Sequence, residues 1–209
     1  FKHFQNFMIQ PLLSKNISSS IRIIGVDPSL ADTGLCLLEN TQILKADHIQ
    51  TRSSQEMPKR LEKIYQTLEE FFQTAQASCL AIEDQFLGSF YAAKSYGITE
   101  RKNLKTIQGL SYVKGLALAL AGKHNINVIQ VNVSQWRTRF LPRRNMSKGE
   151  TLKYINNMFQ QNIINHNISD AILIGLCGQS LLREQYCMTS SNESIPTPGS
   201  NRLIKRPVV

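Results

Sequence analysis

Three acidic residues in this 209-residue chain stand where acids are costly. Asp27 closes the apolar run Ile21-Arg22-Ile23-Ile24-Gly25-Val26. Glu83, followed by Asp84, closes a second run, Ser78-Cys79-Leu80-Ala81-Ile82. Asp170 opens a third, Ala171-Ile172-Leu173-Ile174-Gly175-Leu176. A carboxylate buried alone costs several kcal/mol. Each therefore wants a cation, a metal or a phosphate-bound metal beside it. For Asp27 a plainer reading also stands: its side chain caps the turn that Pro28 begins. His166 lies four residues before Asp170. If a helix starts there, the two share one face a turn apart. A lone histidine is ordinarily structural, but one paired with an acid, alongside two strand-end carboxylates, is a candidate ligand.

A second population of residues suits a polyanion. Phe86, Phe90, Tyr91 and Tyr96 interleave with Lys94, Arg101, Lys102 and Lys105. Aromatics amid cations fit base stacking and phosphate contact; the alternative is a partly packed loop with a solvated basic face. The densest basic run follows Ser134-Gln135-Trp136: Arg137, Arg139, Arg143, Arg144 and Lys148. Ser147 and Glu150 have the spacing of a capping box, which predicts a helix over 148–159. A helix N-terminus beside basic residues is a ready anion site, against an ordinary solvated loop. The net charge of +9 and a pI of about 9.5 favour a polyanionic partner such as nucleic acid.

The elements that must position these groups follow from periodicity. Residues 21–26 read as a buried strand and 35–38 as its hairpin partner, with 41–49 as a third strand. Over 57–74, Leu61, Ile64, Tyr65, Leu68, Phe71 and Phe72 recur at helical steps, with Pro58 in the first turn. A short strand at 78–82 delivers Glu83. A helix rich in small residues covers 104–121, and 127–131 is another strand. Asn165 or Asn167 can cap the last helix.

Length and composition set the frame. The chain is one domain, with 42% hydrophobic residues and no apolar run near the roughly 18 needed to cross a bilayer. Cys36, Cys79, Cys177 and Cys187 lie far apart without a CxxC pair, which suits buried thiols in a reducing compartment. Residues 1–20 lack acids and read as a leader, 21–185 as the folded domain, and 186–209 as a basic, Ser- and Pro-rich tail.

With the elements in this order, the motifs resemble a known family. GVDPSLADTG is similar to the GIDPG-x-x-x-TG of RuvC-type Holliday junction resolvases, in the RNase H-like superfamily. AIEDQF is similar to their IEQ-x-F, and HNISDAILIG to the DAADAL segment that closes their active site. The resemblance spans about residues 21–178. It implies an α/β fold, an RNase H-like mixed five-stranded sheet flanked by helices. It implies a nuclease that nicks four-way DNA junctions in symmetric pairs as a homodimer, matching the junction's two-fold symmetry. Asp27, Glu83 and Asp170 match three of four family metal ligands. The fourth position, three residues before the last ligand, is Asn167, a poor ligand for a hard cation; His166 takes the role, with a spacing similar to that of plant chloroplast resolvases. Phe86 matches the aromatic that wedges into the junction. Lys148 falls where the family has a lysine near the scissile phosphate. The implied cofactor is Mg2+, two ions about 4 Å apart, with Mn2+ as substitute. The implied setting is the cytoplasmic nucleoid, or else a mitochondrion or plastid.

Three rivals stand beside this reading. A sugar-kinase fold shares the hairpin but needs a second domain that this length does not hold. A non-catalytic binding module would explain Asn167, but not three retained acids. A less selective nuclease for branched DNA has the same residues.

Overall fold

The computed structural model describes residues 20–84 and 100–192, and within them the side chains of 20–84 and 105–186. In chain order the elements are β1 (Arg22–Asp27), β2 (Asp32–Glu39), β3 (Gln42–Gln50), α1 (Met57–Ala75), β4 (Cys79–Asp84), α2 (Glu100–Lys123), β5 (Asn127–Asn132), α3 (Val133–Phe140), α4 (Lys148–Phe159) and α5 (His166–Asn192). The five strands form one mixed sheet in the order β3-β2-β1-β4-β5. β1, β2 and β3 pair antiparallel as consecutive hairpins. β4 joins β1 in parallel, and β5 joins β4 in parallel. This is the mixed sheet flanked by helices that the sequence implies.

Side chains alternate across a strand, and here the alternation separates two cores. Ile24, Val26, Leu35, Leu37, Leu80 and Ile82 pack on one face with α1 and α2, through Ile64, Leu68, Phe71, Phe72, Val113, Ala117 and Leu120. Ile23, Cys36, Leu38, Cys79 and Ala81 pack on the other face against α3, α4 and α5. Continuing the same alternation places Asp27 with Ile23 and Glu83 with Cys79 and Ala81. Both acids thus belong to the α5 face. β1 and β4 are parallel neighbours, and Val26 pairs with Ile82. Asp27 and Glu83 are the next residue on each strand, so they leave the sheet side by side.

α5 lies close on that face because small residues let it. A Cβ built on Gly34 would sit 2.0 Å from the Asn167 carbonyl oxygen, and one on Gly25 2.2 Å from that of Ala171. Neither contact leaves room for a side chain. These two glycines fix how near the first turns of α5, and so Asp170, come to the strand ends.

The differences from the sequence reading are local. Strands run one to three residues beyond the apolar runs that announce them, because pairing continues past the buried stretch. Residues 133–140, read as part of a basic loop, form α3. α2 begins at Glu100 and α5 continues to Asn192. The alternating aromatic and basic positions Phe86 and Lys94, and the side chains of Arg101 and Lys102, lie outside the described residues. Among the described residues no helix is long and apolar enough to cross a membrane.

Gly34→Ala tests the close approach. The added methyl meets main chain rather than a movable side chain, so about 2 kcal/mol of stability should be lost, a fall of about 4–8 °C in Tm. Gly149, where an added Cβ meets nothing within 4 Å, should accept alanine with no loss. Equal melting of the two variants by calorimetry would show that α5 can shift off the sheet at no cost.

Candidate active site

The turn that follows Asp27 is built to hold its place. Thr33 Oγ1 donates to the Ser29 carbonyl at 2.5 Å and accepts from the Ser29 amide at 3.3 Å. Thr51 Oγ1 donates to the Leu30 carbonyl at 2.5 Å, and Arg60 from α1 donates to both. Ser29 and Thr33 therefore close the turn that follows Asp27, whose carboxylate is within electrostatic reach of those of Glu83 and Asp170.

Burial raises the Asp27 carboxyl well above the ordinary carboxylate range, and the charges of Glu83 and Asp170 push it further. Lys148 pulls it back. Glu83 is also raised, by burial first and then by Asp170, against a hydrogen bond from Trp136 and the charges of Arg137 and Lys148. Asp170 is raised by burial and lowered in part by Lys148, Arg137 and His166. The three acids are thus within electrostatic reach of one another, with Lys148, Arg137 and His166 around them. Two strand ends, the first five residues of α5, the first residue of α4 and the middle of α3 supply them.

The start of α5 is fixed by its cap. Asn165 Oδ1 accepts from the Asn167 amide at 2.7 Å. Its Nδ2 donates to Asp32 Oδ2 at 2.9 Å and stands 2.8 Å from His48 Nδ1, itself 2.8 Å from Asp32 Oδ1. Burial pushes the Asp32 carboxyl up, but the bonds from Asn165 and His48 outweigh it and leave it lowered. Asn165 is therefore the cap. His166 is the first helical residue, half-buried, one turn before Asp170. Asn167 is buried with its carbonyl over Gly34.

A model of the family described as crossover junction endodeoxyribonuclease RuvC matches residues 23–178. The chain belongs to the RuvC family. Among curated relatives, the crossover junction endodeoxyribonuclease RuvC of Rickettsia typhi is 25% identical over 78% of this chain and 99% of its own. That of Brachyspira hyodysenteriae is 25% identical over 75% of this chain and 92% of its own. Among solved structures, Thermus thermophilus RuvC in complex with a Holliday junction substrate superposes with a TM-score of 0.63 at 15% identity, covering 78% of this chain and 96% of that one. The yeast mitochondrial Holliday junction resolvase superposes with a TM-score of 0.53 at 9% identity, covering 88% of this chain and 91% of that one. At these identities the structures show the fold. The family makes this chain a metal-dependent nuclease of the crossover junction endodeoxyribonuclease class.

The donor set agrees with a hard cation. Carboxylate oxygens suit Mg2+ or Mn2+, and all three acids stay raised by burial even with Lys148 nearby. Among the described residues no three His, Cys, Asp or Glu side chains stand close enough together to hold a metal ion between them. An oxygen-ligated Mg2+ needs no such trio: one or two carboxylates, waters and a substrate phosphate complete its shell.

The structure sorts the basic residues of this RuvC chain. Arg143 pairs with Glu150 at 2.8 Å. Arg139 donates to Ser180 Oγ at 2.6 Å and pairs with Glu184 on α5. Arg137 donates from Nη1 to the carbonyls of Arg144 and Met146 at 3.1 Å each. Lys105, Arg144 and Lys148 are exposed. Two features escaped the sequence reading. Trp136 donates its indole N–H to Glu83 Oε2 at 3.2 Å. The Asp32–His48–Asn165 cluster is the other. The capping box formed by Asn132 and Gln135 is the signal that would have revealed α3 and turned Trp136 inward.

Raised acids keep protons in the folded state at a pH where the unfolded chain has released them. Stability therefore falls as pH rises through that window. The cost is absent below the unfolded carboxylate pKa, about 4, and complete above the raised folded values. In metal-free protein Asp27→Asn should raise Tm by a few degrees at pH 7.5 and leave it unchanged at about pH 4. A Tm gain of the same size at both pH values, by scanning calorimetry with EDTA, would refute the ionisation of this buried carboxyl as its source.

Proposed function

We propose that this chain resolves four-way DNA junctions by paired symmetric nicks, with Asp27, Glu83, His166 and Asp170 holding two Mg2+ ions, replaceable by Mn2+. The single observation that carries the reading is the placement of three buried carboxyls, Asp27 and Glu83 on adjacent parallel strand ends and Asp170 near the start of the helix packed on the same face, with Lys148 in electrostatic reach of each. Divalent cations held there would polarise the scissile phosphate and lower the pKa of an attacking water. Asp27, whose carboxyl feels the charges of both Glu83 and Asp170, would be the ligand common to the cations, with Glu83, Asp170 and His166 as the other residues that would hold them. Lys148, at the N-terminus of α4, meets the negative charge that grows on the phosphate during in-line displacement.

Exposed Lys105, Arg144 and Lys148 supply phosphate contacts, as do Lys94, before α2 in the sequence, and Arg101 and Lys102, in its first turn. Phe86, two residues beyond β4, is the wedge that enters unstacked bases. Two copies of the chain related by a two-fold axis present two such sites to a substrate of the same symmetry. A leader over residues 1–20 and a basic tail over 186–209 flank this nuclease domain.

Asp27→Asn should abolish cleavage, because a shared ligand is lost, while junction binding survives through phosphate contacts. Cutting within about tenfold of wild type would remove Asp27 from the metal site. Parallel assays on junction, fork and duplex DNA separate a resolvase from a broad branched-DNA nuclease: a resolvase cuts the junction in paired nicks and leaves duplex intact.

Substitutions decide the fourth ligand. His166→Asp should keep cutting, since a carboxylate suits a hard ion at least as well as imidazole. His166→Ala should lose activity and regain part of it at high Mn2+. Asn167→Ala should be mild. The reverse ranking, with Asn167→Ala dead and His166→Ala active, would move the ligand one residue along α5.

A further inference from the structure

We propose that Trp136 and Arg137 are positioning residues that tie the Glu83 carboxylate and the loop delivering Lys148 into one unit. The inference rests on the assignment of Glu83 as a ligand and Lys148 as a phosphate contact. Its grounds are the contacts of α3. The β4–β5 pairing sets Glu83 opposite Val131 and Asp84 opposite Asn132. Asn132 caps α3, accepting from the Ser134 amide at 2.9 Å, while Gln135 Oε1 accepts from the Asn132 amide at 2.8 Å. α3 therefore begins on the rung beside Glu83 and cannot drift from it. Trp136, one turn in, is 2% exposed. Packing alone would be served by an apolar ring. A buried indole N–H instead needs an acceptor, and here the acceptor is Glu83 Oε2 at 3.2 Å. This bond engages one carboxylate oxygen and leaves Oε1 for a cation.

Arg137 extends the unit to the other side. Its guanidinium lies over the Trp136 ring, 4.9 Å from the centroid. One nitrogen, Nη1, donates to the carbonyls of Arg144 and Met146 at 3.1 Å each. Met146 is two residues before Lys148, the first residue of α4. A planar, forked guanidinium can stack on the ring and grip the loop at once; an ammonium cannot reproduce that geometry. Arg137 thus acts on DNA through the loop it holds, rather than as a phosphate contact of its own.

Trp136 is the chain's single tryptophan, so its emission reports on Glu83 directly. The full chain is titrated with Mn2+, following free ion by electron paramagnetic resonance and Trp136 emission in parallel. Wild type should bind Mn2+ with quenching of the same midpoint, and Glu83→Gln should weaken both. Trp136→Phe keeps the ring and loses the N–H. It should bind Mn2+ about tenfold more weakly, with Tm and metal-free junction affinity close to wild type. Arg137→Lys should bind Mn2+ normally but cut more slowly at saturating metal, since Lys148 is no longer held. Trp136→Phe with wild-type Mn2+ affinity, or Arg137→Lys with wild-type cutting, would overturn the corresponding half of the proposal. If Trp136→Phe does not fold, wild type still decides: Mn2+ binding without any change in Trp136 emission overturns it. Mn2+ binding that Glu83→Gln leaves intact instead overturns the ligand assignment, and the Trp136 half with it.

Discussion

The structure is organised around a costly burial. Three carboxylates stand at one end of a sheet where burial opposes their ionisation, and the charges of Glu83 and Asp170 add to that at Asp27. Left to itself, such a cluster would relax by rotating side chains apart or by loosening the elements that carry them. The fold prevents both. Asp27 and Glu83 leave the two central parallel strands at the same level, and residues on both faces of those strands are fully buried. Asp170 is carried by the helix packed most closely on the same face. The energy that holds the acids together comes from Ile23, Ile24, Leu35, Leu38, Leu80 and Ile82, all fully buried in the two cores. The site is thus a local loss of stability sustained by a core that gains it elsewhere, a common arrangement where function needs groups that folding disfavours.

That arrangement makes the packing of α5 a functional matter. Its distance from the sheet is set by Gly25 and Gly34, which admit main-chain oxygens where a side chain would collide. Its start is set by Asn165, held by Asp32 and His48 from β2 and β3. The cluster therefore joins the hairpin that follows Asp27 to the helix that presents His166 and Asp170. A one-residue change of register at this helix start would exchange His166 for Asn167. The cap, the hairpin contact and the glycine fit act on the same three residues, and together they determine which side chain of α5 faces the acids.

Much of this was legible in the residues alone, for an identifiable reason. Apolar runs ending in an acid mark a strand whose last residue leaves the core, and that pattern placed Asp27 and Glu83 correctly at strand ends. The Ser147–Glu150 box predicted α4 to the residue, because capping is a local interaction between neighbours in sequence. What escaped notice was long-range or disguised. α3 hides because its exposed face is basic and its buried face is only Trp136 and Phe140. The Trp136–Glu83 bond joins residues 53 positions apart, and Asp32 and Asn165 are 133 apart. No periodicity encodes such pairs. The first appears only once the strand order β1-β4-β5 brings β4 beside the start of α3, and the second only once α5 packs over β1 and β2.

The same distinction changes how the positive charge should be understood. A formal +9 suggests many phosphate contacts, and the run 137–148 holds five cations. Three of them are already engaged within the protein: Arg137 with loop carbonyls, Arg139 with Ser180 and Glu184, Arg143 with Glu150. Arg139 and Arg143 have their charge balanced locally and add little to the field outside. Arg137 keeps its charge but directs it toward Glu83 and Asp170. The number of counterions released on binding DNA follows the phosphates neutralised, not the cations counted in sequence. The basic run is therefore divided within the fold. Arg137 ties α3 to the loop before α4, and Arg139 ties it to α5, whereas Arg144 and Lys148 stay exposed. Counting cations in the sequence merges these two groups, and only the fold separates the charge engaged inside the protein from the charge left at its surface.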